Sequence, residues 1–170
     1  MKRTEGDNMD KQMFLTKLRL SILATLRWSL AITFFIYGAC KIYPGQFSTG
    51  DFTFDSTTDS AFKLAWYFFG YSDTYNYFLA IGELTAALLL VIPKTATLGN
   101  IIFLPITVNI MIINFCFDIP AKVVSVPITI MSIILLFMEY KKLKAIFLVN
   151  AATTNHSIKV QKEGKQVTIK

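Results

Sequence analysis

The sequence predicts an all-α fold, a four-transmembrane-helix bundle with N- and C-termini cytoplasmic. A short amphipathic outer helix and a small C-terminal β-hairpin complete it. Three observations carry this expectation. Hydrophobic residues make up 54% of the 170 and charged residues 16%, where a soluble domain carries about 25% charged. From Thr95 to Phe117 no residue is charged, and roughly 20 apolar residues are enough to cross the hydrocarbon. The net charge of +6 gathers before the first apolar run and after the last, as cytoplasmic segments do. No basic stripe interleaved with stacking aromatics is present, so nucleic acid is not an expected partner; the lipid bilayer is.

Taken in order, residues 1–19 form a cytoplasmic N-terminal amphipathic segment, in which MDKQMFLTKLR (9–19) reads as a surface helix leading into the first span. Residues 20–140 hold the four spans, at about Leu20–Tyr43, Thr74–Ile92, Thr95–Phe117 and Lys122–Tyr140. Pro105 and Pro127 are expected to interrupt the third and fourth. The fourth is short, but Lys122 can snorkel and Tyr140 suits an interfacial belt. The loop 44–73 sets Asp51, Asp55, Asp59 and Asp73 against Lys63 alone, while Lys94 sits in the tight turn after span two, so the loop belongs outside. Within it AFKLAWYFFGY (61–71) is too short to span and reads as an interfacial helix. Residues 141–170 are a cytoplasmic basic tail, whose SIKVQKEGKQVTIK alternates apolar and polar residues about Glu163-Gly164, a hairpin pattern. YGAC, ending at Cys40, resembles a lipoprotein cleavage box, but the preceding segment is too long and Arg27 interrupts its apolar core, so cleavage is not expected.

Helical spacing assigns the inward faces. On span two Asn76, Ala80, Glu83, Ala86 and Ala87 share one side, and Phe78, Ile81, Leu88 and Ile92 the other. Small and polar residues favour contact between helices in lipid, so Glu83 points inward. On span one Arg27, Ala31, Phe34, Gly38 and Lys41 share a stripe, and on span three Asn100, Thr107, Asn114 and Asp118 do, with Asn109 off it. At about 1.5 Å per residue, Arg27 falls roughly 10 Å and Glu83 roughly 16 Å above the cytoplasmic boundary. A lone charge in hydrocarbon costs about 2.5–3.5 kcal/mol. The expectation is therefore an Arg27–Glu83 pair, in an intramembrane polar pocket with Asn109 and Asn100. Lys41, Asn114 and Asp118 would form an outer mouth.

Each of these features has a plainer reading. The ionic pair could handle a proton or hold a head group, or it could fix helix register and nothing more. Lys41 more often snorkels at a helix end than binds an anion. Cys40 and Cys116 fall at the same end of their spans and form a candidate thiol pair, although no C-x-x-C is present. Trp66, Tyr67, Phe68 and Phe69 could line an entrance for a ring compound or belong to the interfacial belt. His156 is the one histidine, which argues against a metal site and against a bis-histidine haem. No catalytic group can be named.

The span-one stretch RWSLAITFFIYGACKIY, with its arginine and Gly-x-x-Lys, and the span-two stretch IGELTAALLLVIPKTATLGN, with its intramembrane glutamate and short basic turn, together resemble the DoxX-like family. Arg27, Gly38, Lys41 and Glu83 sharpen the resemblance, which covers about residues 20 to 138. It implies a four-helix inner-membrane protein, related to the DoxD/DoxX quinone oxidoreductase subunits. Such a chain would be a subunit or accessory of a quinone-linked membrane redox system, with a partner subunit and no tightly bound cofactor beyond a quinone. Two other classes stay open: a small-solute transporter or permeation unit, and a non-catalytic scaffold or assembly protein.

Overall fold

The computed structural model describes residues 2–47 and 53–146. Among the described residues five longer helices follow one another, α1 Lys2–Ile42, α2 Ala61–Gly70, α3 Asp73–Val91, α4 Ala96–Cys116 and α5 Lys122–Met138, and a short one, Tyr140–Ile146, comes after them. α1 packs on α3, α3 on α4, α4 on α5 and α5 back on α1, which closes a four-membered bundle, while α2 lies against α3. Three helices are long and apolar enough to cross a membrane, or four if Lys122–Met138 and Tyr140–Ile146 count as one broken span. The chain is a helical, multi-span membrane protein.

This refines the expected fold at two places and corrects it at a third. The surface helix at 9–19 and the first span are one helix of 41 residues, because no proline interrupts the run. α5 has 17 residues and makes the fourth candidate span together with Tyr140–Ile146. No strand occurs among the described residues, and every regular element there is helical. The segment on which the hairpin was expected lies outside the described residues, and a lone two-stranded hairpin has little independent stability. Pro105 and Pro127 sit inside α4 and α5 without ending either helix. Residues 139–146 belong to a separate compact unit, in which Lys142 Nζ meets Glu139 Oε1 at 3.1 Å.

Local chemistry sets the helix ends. Ser60 Oγ accepts the Lys63 N–H at 3.3 Å to start α2, and Ser72 Oγ accepts the Tyr75 N–H at 3.3 Å to start α3. The Thr95 hydroxyl donates to the Leu89 carbonyl at 3.0 Å across the tight α3–α4 turn. α4 ends where Asp118 adopts φ 48° and the Ile119 N–H returns to the Asn114 carbonyl at 2.9 Å, a Schellman closure made without glycine.

The faces separate as burial in lipid requires. Ala80, Glu83, Ala86 and Ala87 are buried, whereas Phe78, Ile81, Leu88 and Ile92 are exposed. With Trp28, Ile32, Phe35, Ile36, Phe115 and Phe137 they make an apolar exterior that water would not tolerate. Leu30, Leu90, Phe103 and Leu135 are fully buried, and the Phe34 and Phe103 rings stand 3.9 Å apart. This packed core fills the half of the bundle nearest the α3–α4 turn. The other half, at the end bearing the 43–72 loop, is not filled in the same way.

Candidate functional site

The loop end of the bundle holds an ion pair. Lys41, one residue from the end of α1, sends Nζ to Glu83 Oε2 at 2.8 Å and to Oε1 at 3.0 Å. The two residues are 6% and 2% exposed, so neither charge is hydrated and each depends on the other. Asn76 Nδ2 donates to the Lys41 carbonyl at 2.9 Å, which ties the end of α1 to α3 a second time. Gly38 makes the approach close: a Cβ there would lie 2.9 Å from Leu84 Cγ and 3.2 Å from the Ala80 carbonyl oxygen. Aromatic faces complete the shell, with Nζ 5.9 Å from the Tyr37 ring centre and 5.7 Å from that of Phe47.

The partner of Glu83 is therefore Lys41, and the expected Arg27–Glu83 pair is corrected. Two physical reasons account for the difference. Helical Cα–Cβ bonds tilt toward the N-terminus of their own helix. α1 and α3 are antiparallel here, so Lys41 and Glu83 lean toward each other while Arg27 leans away from Glu83. The register matters as well. Gly38 lies opposite Ala80 and Leu84, which places Arg27, eleven residues earlier, about 16 Å farther along the axis. Arg27 is half-buried near the α3–α4 turn end. Lys41 does not snorkel.

Beside the ion pair lies a cavity of about 120 Å³, bounded by α1, α3, α4, α5 and the loop over them. Its walls include Phe34, Tyr37, Phe47, Trp66 and Phe69, and its polar groups include Lys41, Glu83, Gln46, Thr107, Asn109 and Asn114. Phe47 is the keystone of the cover: its ring stands 5.1 Å from Phe69 and 5.2 Å from Trp66. Gly70 lets α2 settle on the Phe47 carbonyl, since a Cβ there would collide with that oxygen. Gly45, at φ 96°, turns the chain back beneath α2 so that Gln46 and Phe47 face inward. Tyr75 and Asn109 line the same cavity yet are exposed on the outside of α3 and α4.

On the far wall a polar seam joins α4 to α5. Asn114 Nδ2 donates to Ser125 Oγ at 3.0 Å, the Thr107 and Thr129 hydroxyls meet at 2.6 Å, and Ser132 Oγ donates to Asn100 Oδ1 at 2.7 Å. Asn100 Nδ2 also donates to the Ser132 carbonyl at 2.9 Å. The predicted stripe on α4 is thus a helix-pairing face as far as Asn114. Thr107 and Asn114 also wall the cavity, whereas Asn100 lies at the opposite half and is not part of it.

Of the expected site residues, Glu83, Lys41, Asn109 and Asn114 come together; Arg27 and Asn100 do not join them. Asp118 is exposed and pairs with Lys122 at 2.7 Å instead of facing Lys41. That contact and its hydrogen bond hold the Asp118 carboxyl below the usual carboxylate range. Cys40 and Cys116 are both free and exposed, because each sits off the buried stripe of its helix. The candidate thiol pair is corrected accordingly. Trp66 and Phe69 line the cavity, while Phe68 is exposed. His156 lies outside the described residues, and among those described no group of three His, Cys, Asp or Glu could hold a metal ion. Sequence reasoning missed Gln46, Phe47, Tyr75 and Ser125. Ser125, Thr129 and Ser132 at spacings of four and three were a legible signal; nothing in the sequence marked Gln46.

Comparison with known proteins finds a relative in Bacillus subtilis (strain 168), the uncharacterized protein YwoB. It is 46% identical over 130 residues, which span 76% of this chain and 84% of the relative. No protein-family model matches the chain. No solved structure matches it either.

Proposed function

Since the chain belongs to one family with the YwoB protein of Bacillus subtilis, and that kinship names no activity, we propose a function from the site itself: this membrane protein binds a small, lipid-soluble ring compound in the cavity beside Lys41 and Glu83. The single observation that carries the reading is the combination of a buried ion pair with an aromatic-walled space of about 120 Å³. An apolar cavity of roughly 150 Å³ takes one benzene, so the somewhat smaller space here is of the order of a single six-membered ring and no more. Aromatic walls favour a ring over an alkyl chain. The Lys41 ammonium has three N–H donors, and Glu83 engages two. One donor is thereby left to polarise a ligand oxygen.

A quinone head group meets these requirements. The resemblance of the Gly38–Lys41 and Glu83 segments to the DoxX-like family points the same way, toward a subunit or accessory of a quinone-linked redox system with a membrane partner subunit. The acidic 44–73 loop and the basic residues at both ends favour an orientation with the termini cytoplasmic and the cavity toward the outer leaflet of the cell membrane. Entry beside Tyr75 and Asn109 would draw the ligand from the bilayer and not from water.

The test is extraction of the purified protein with organic solvent, followed by mass spectrometry of what it retained. Wild-type protein is expected to carry a quinone or similar ring compound near one per chain. The Lys41→Met/Glu83→Gln double variant is expected to fold and to carry far less. Folded wild-type protein that neither retains such a compound nor binds an added quinone would sink the proposal. A second reading has its own support, since the ion pair, the Asn76 bond and the Gly38 contact together staple α1 to α3. A purely structural pair predicts no ligand in either protein.

A further inference from the structure

We propose that the cavity selects a neutral ring compound bearing a hydroxyl, and that Gln46 is the residue that reads this hydroxyl. The inference rests on the cavity being a ligand site. Gln46 Oε1 is buried and has no hydrogen-bond partner. It is the cavity-lining residue with such an oxygen among the described residues. Of the polar neighbours, Thr107 is bonded to Thr129 and Asn114 to Ser125, Lys41 gives two of its N–H groups to Glu83, and Asn109 is exposed on the outer side of α4.

A buried acceptor without a donor is unfavourable, and any occupant that supplies an O–H relieves it. A phenol or a quinol does so and a carbonyl or an ether cannot, so of a quinone couple the reduced form is the one this oxygen favours. The hydroxyl oxygen can in turn accept from the Lys41 N–H that Glu83 does not use, so one ligand group satisfies both residues. Neutrality follows from the ion pair, whose charges already cancel and leave nothing for a charged ligand to balance. Position supports the assignment as well. Gly45 at φ 96° and the Gly45 N–H bond to the Cys40 carbonyl at 3.2 Å fix the turn that carries Gln46 under α2.

The experiment compares 4-propylphenol with 4-propylanisole, which differ by replacing the hydroxyl hydrogen with a methyl group. Binding to the full chain in detergent micelles is read from Trp66 fluorescence in a Trp28→Phe background, with protein-free micelles as the blank. The phenol is expected to bind about tenfold more tightly, the worth of one added hydrogen bond. Gln46→Leu should bring the two ligands to within about twofold, mainly by weakening the phenol; Gln46→Met serves if the leucine variant does not fold. Equal saturable binding of both ligands to the wild type would overturn this inference and leave the ligand site standing. A phenol preference that survives both Gln46 substitutions would overturn the role of Gln46. If neither ligand binds saturably, the ligand-site reading fails together with this one.

Discussion

Removing one partner of the Lys41–Glu83 pair should cost far more than removing both. At roughly 3 Å and an effective dielectric of about 20, two unit charges attract by about 5–6 kcal/mol. Desolvation takes back most of that gain, yet an orphaned buried charge still costs about 3–5 kcal/mol. Lys41→Met leaves the Glu83 carboxylate, 2% exposed, with neither water nor counter-ion, and is expected to destabilise by about 3 kcal/mol. Glu83→Gln keeps an oxygen for the ammonium and should cost about 2 kcal/mol. The double variant holds two neutral side chains of similar volume and should lose only about 1 kcal/mol. The resulting coupling of about 4 kcal/mol far exceeds the roughly 0.6 kcal/mol average for hydrogen bonds between membrane helices. Unfolding in mixed micelles of mild detergent and dodecyl sulfate gives the four free energies of the cycle. A coupling below about 1 kcal/mol would refute the reasoning. So would an equal coupling between Arg27→Met and Glu83→Gln, since those sites lie too far apart to interact directly.

Three further expectations follow from the same geometry. Gly38→Ala should destabilise by about 1–3 kcal/mol, because its Cβ meets Leu84 at 2.9 Å, while Gly82→Ala, whose nearest neighbour is Ile106 at 3.9 Å, should gain several tenths of a kcal/mol from helix propensity; the same unfolding assay reads both signs. Asn100→Leu removes both hydrogen bonds to Ser132 and leaves a buried hydroxyl unpaired, so a loss of about 1–2 kcal/mol is expected, with Ser132→Ala recovering part of it. In the loop, the Thr57 hydroxyl and N–H hold the Asp55 carboxyl below its usual 3.8, and the Asp55 N–H, then Lys63, do the same for Asp59. Both folded values are depressed, so the loop's support is full above that pKa and is lost as pH falls through the lowered values. Proteolysis of residues 53–60 by an acid-active protease should accelerate over that window and not above it.

Much of this was readable from residue spacing. Glu83 had to face inward because small residues share its side, and Phe78, Ile81, Leu88 and Ile92 had to face lipid. The Asn100–Thr107–Asn114 stripe was equally plain at its spacing of seven. The ionic partner of Glu83 was not readable in the same way. Spacing gives the angle around a helix and says little of depth, and counting from an assumed entry point at Leu20 put Arg27 too high. The tilt of side chains toward their own N-terminus, a property of the backbone and not of the residue, then decided between Arg27 and Lys41. The cavity cover was less legible still. Phe47 and Gln46 reach it through a turn at Gly45 whose geometry no apolar pattern encodes, and the α2 aromatics fit a membrane belt just as well.

The α4–α5 seam also decides how that hairpin can assemble. Its three pairs recur every seven residues along α4 but every three or four along α5, so a slip of one turn, about 5.4 Å, would set Thr129 against Asn114 and Ser132 against Thr107 and leave Asn100 without its partner. Sliding between the two helices is therefore stepwise, and the Asn100 bonds to Ser132 are what set the native step apart from its neighbour. The two spans can meet loosely in the bilayer in many alignments, but only one leaves no polar group stranded in oil. The wall that Thr107, Asn114 and Ser125 give the cavity is built by that same alignment, so an arrival out of step yields neither the hairpin nor the chamber.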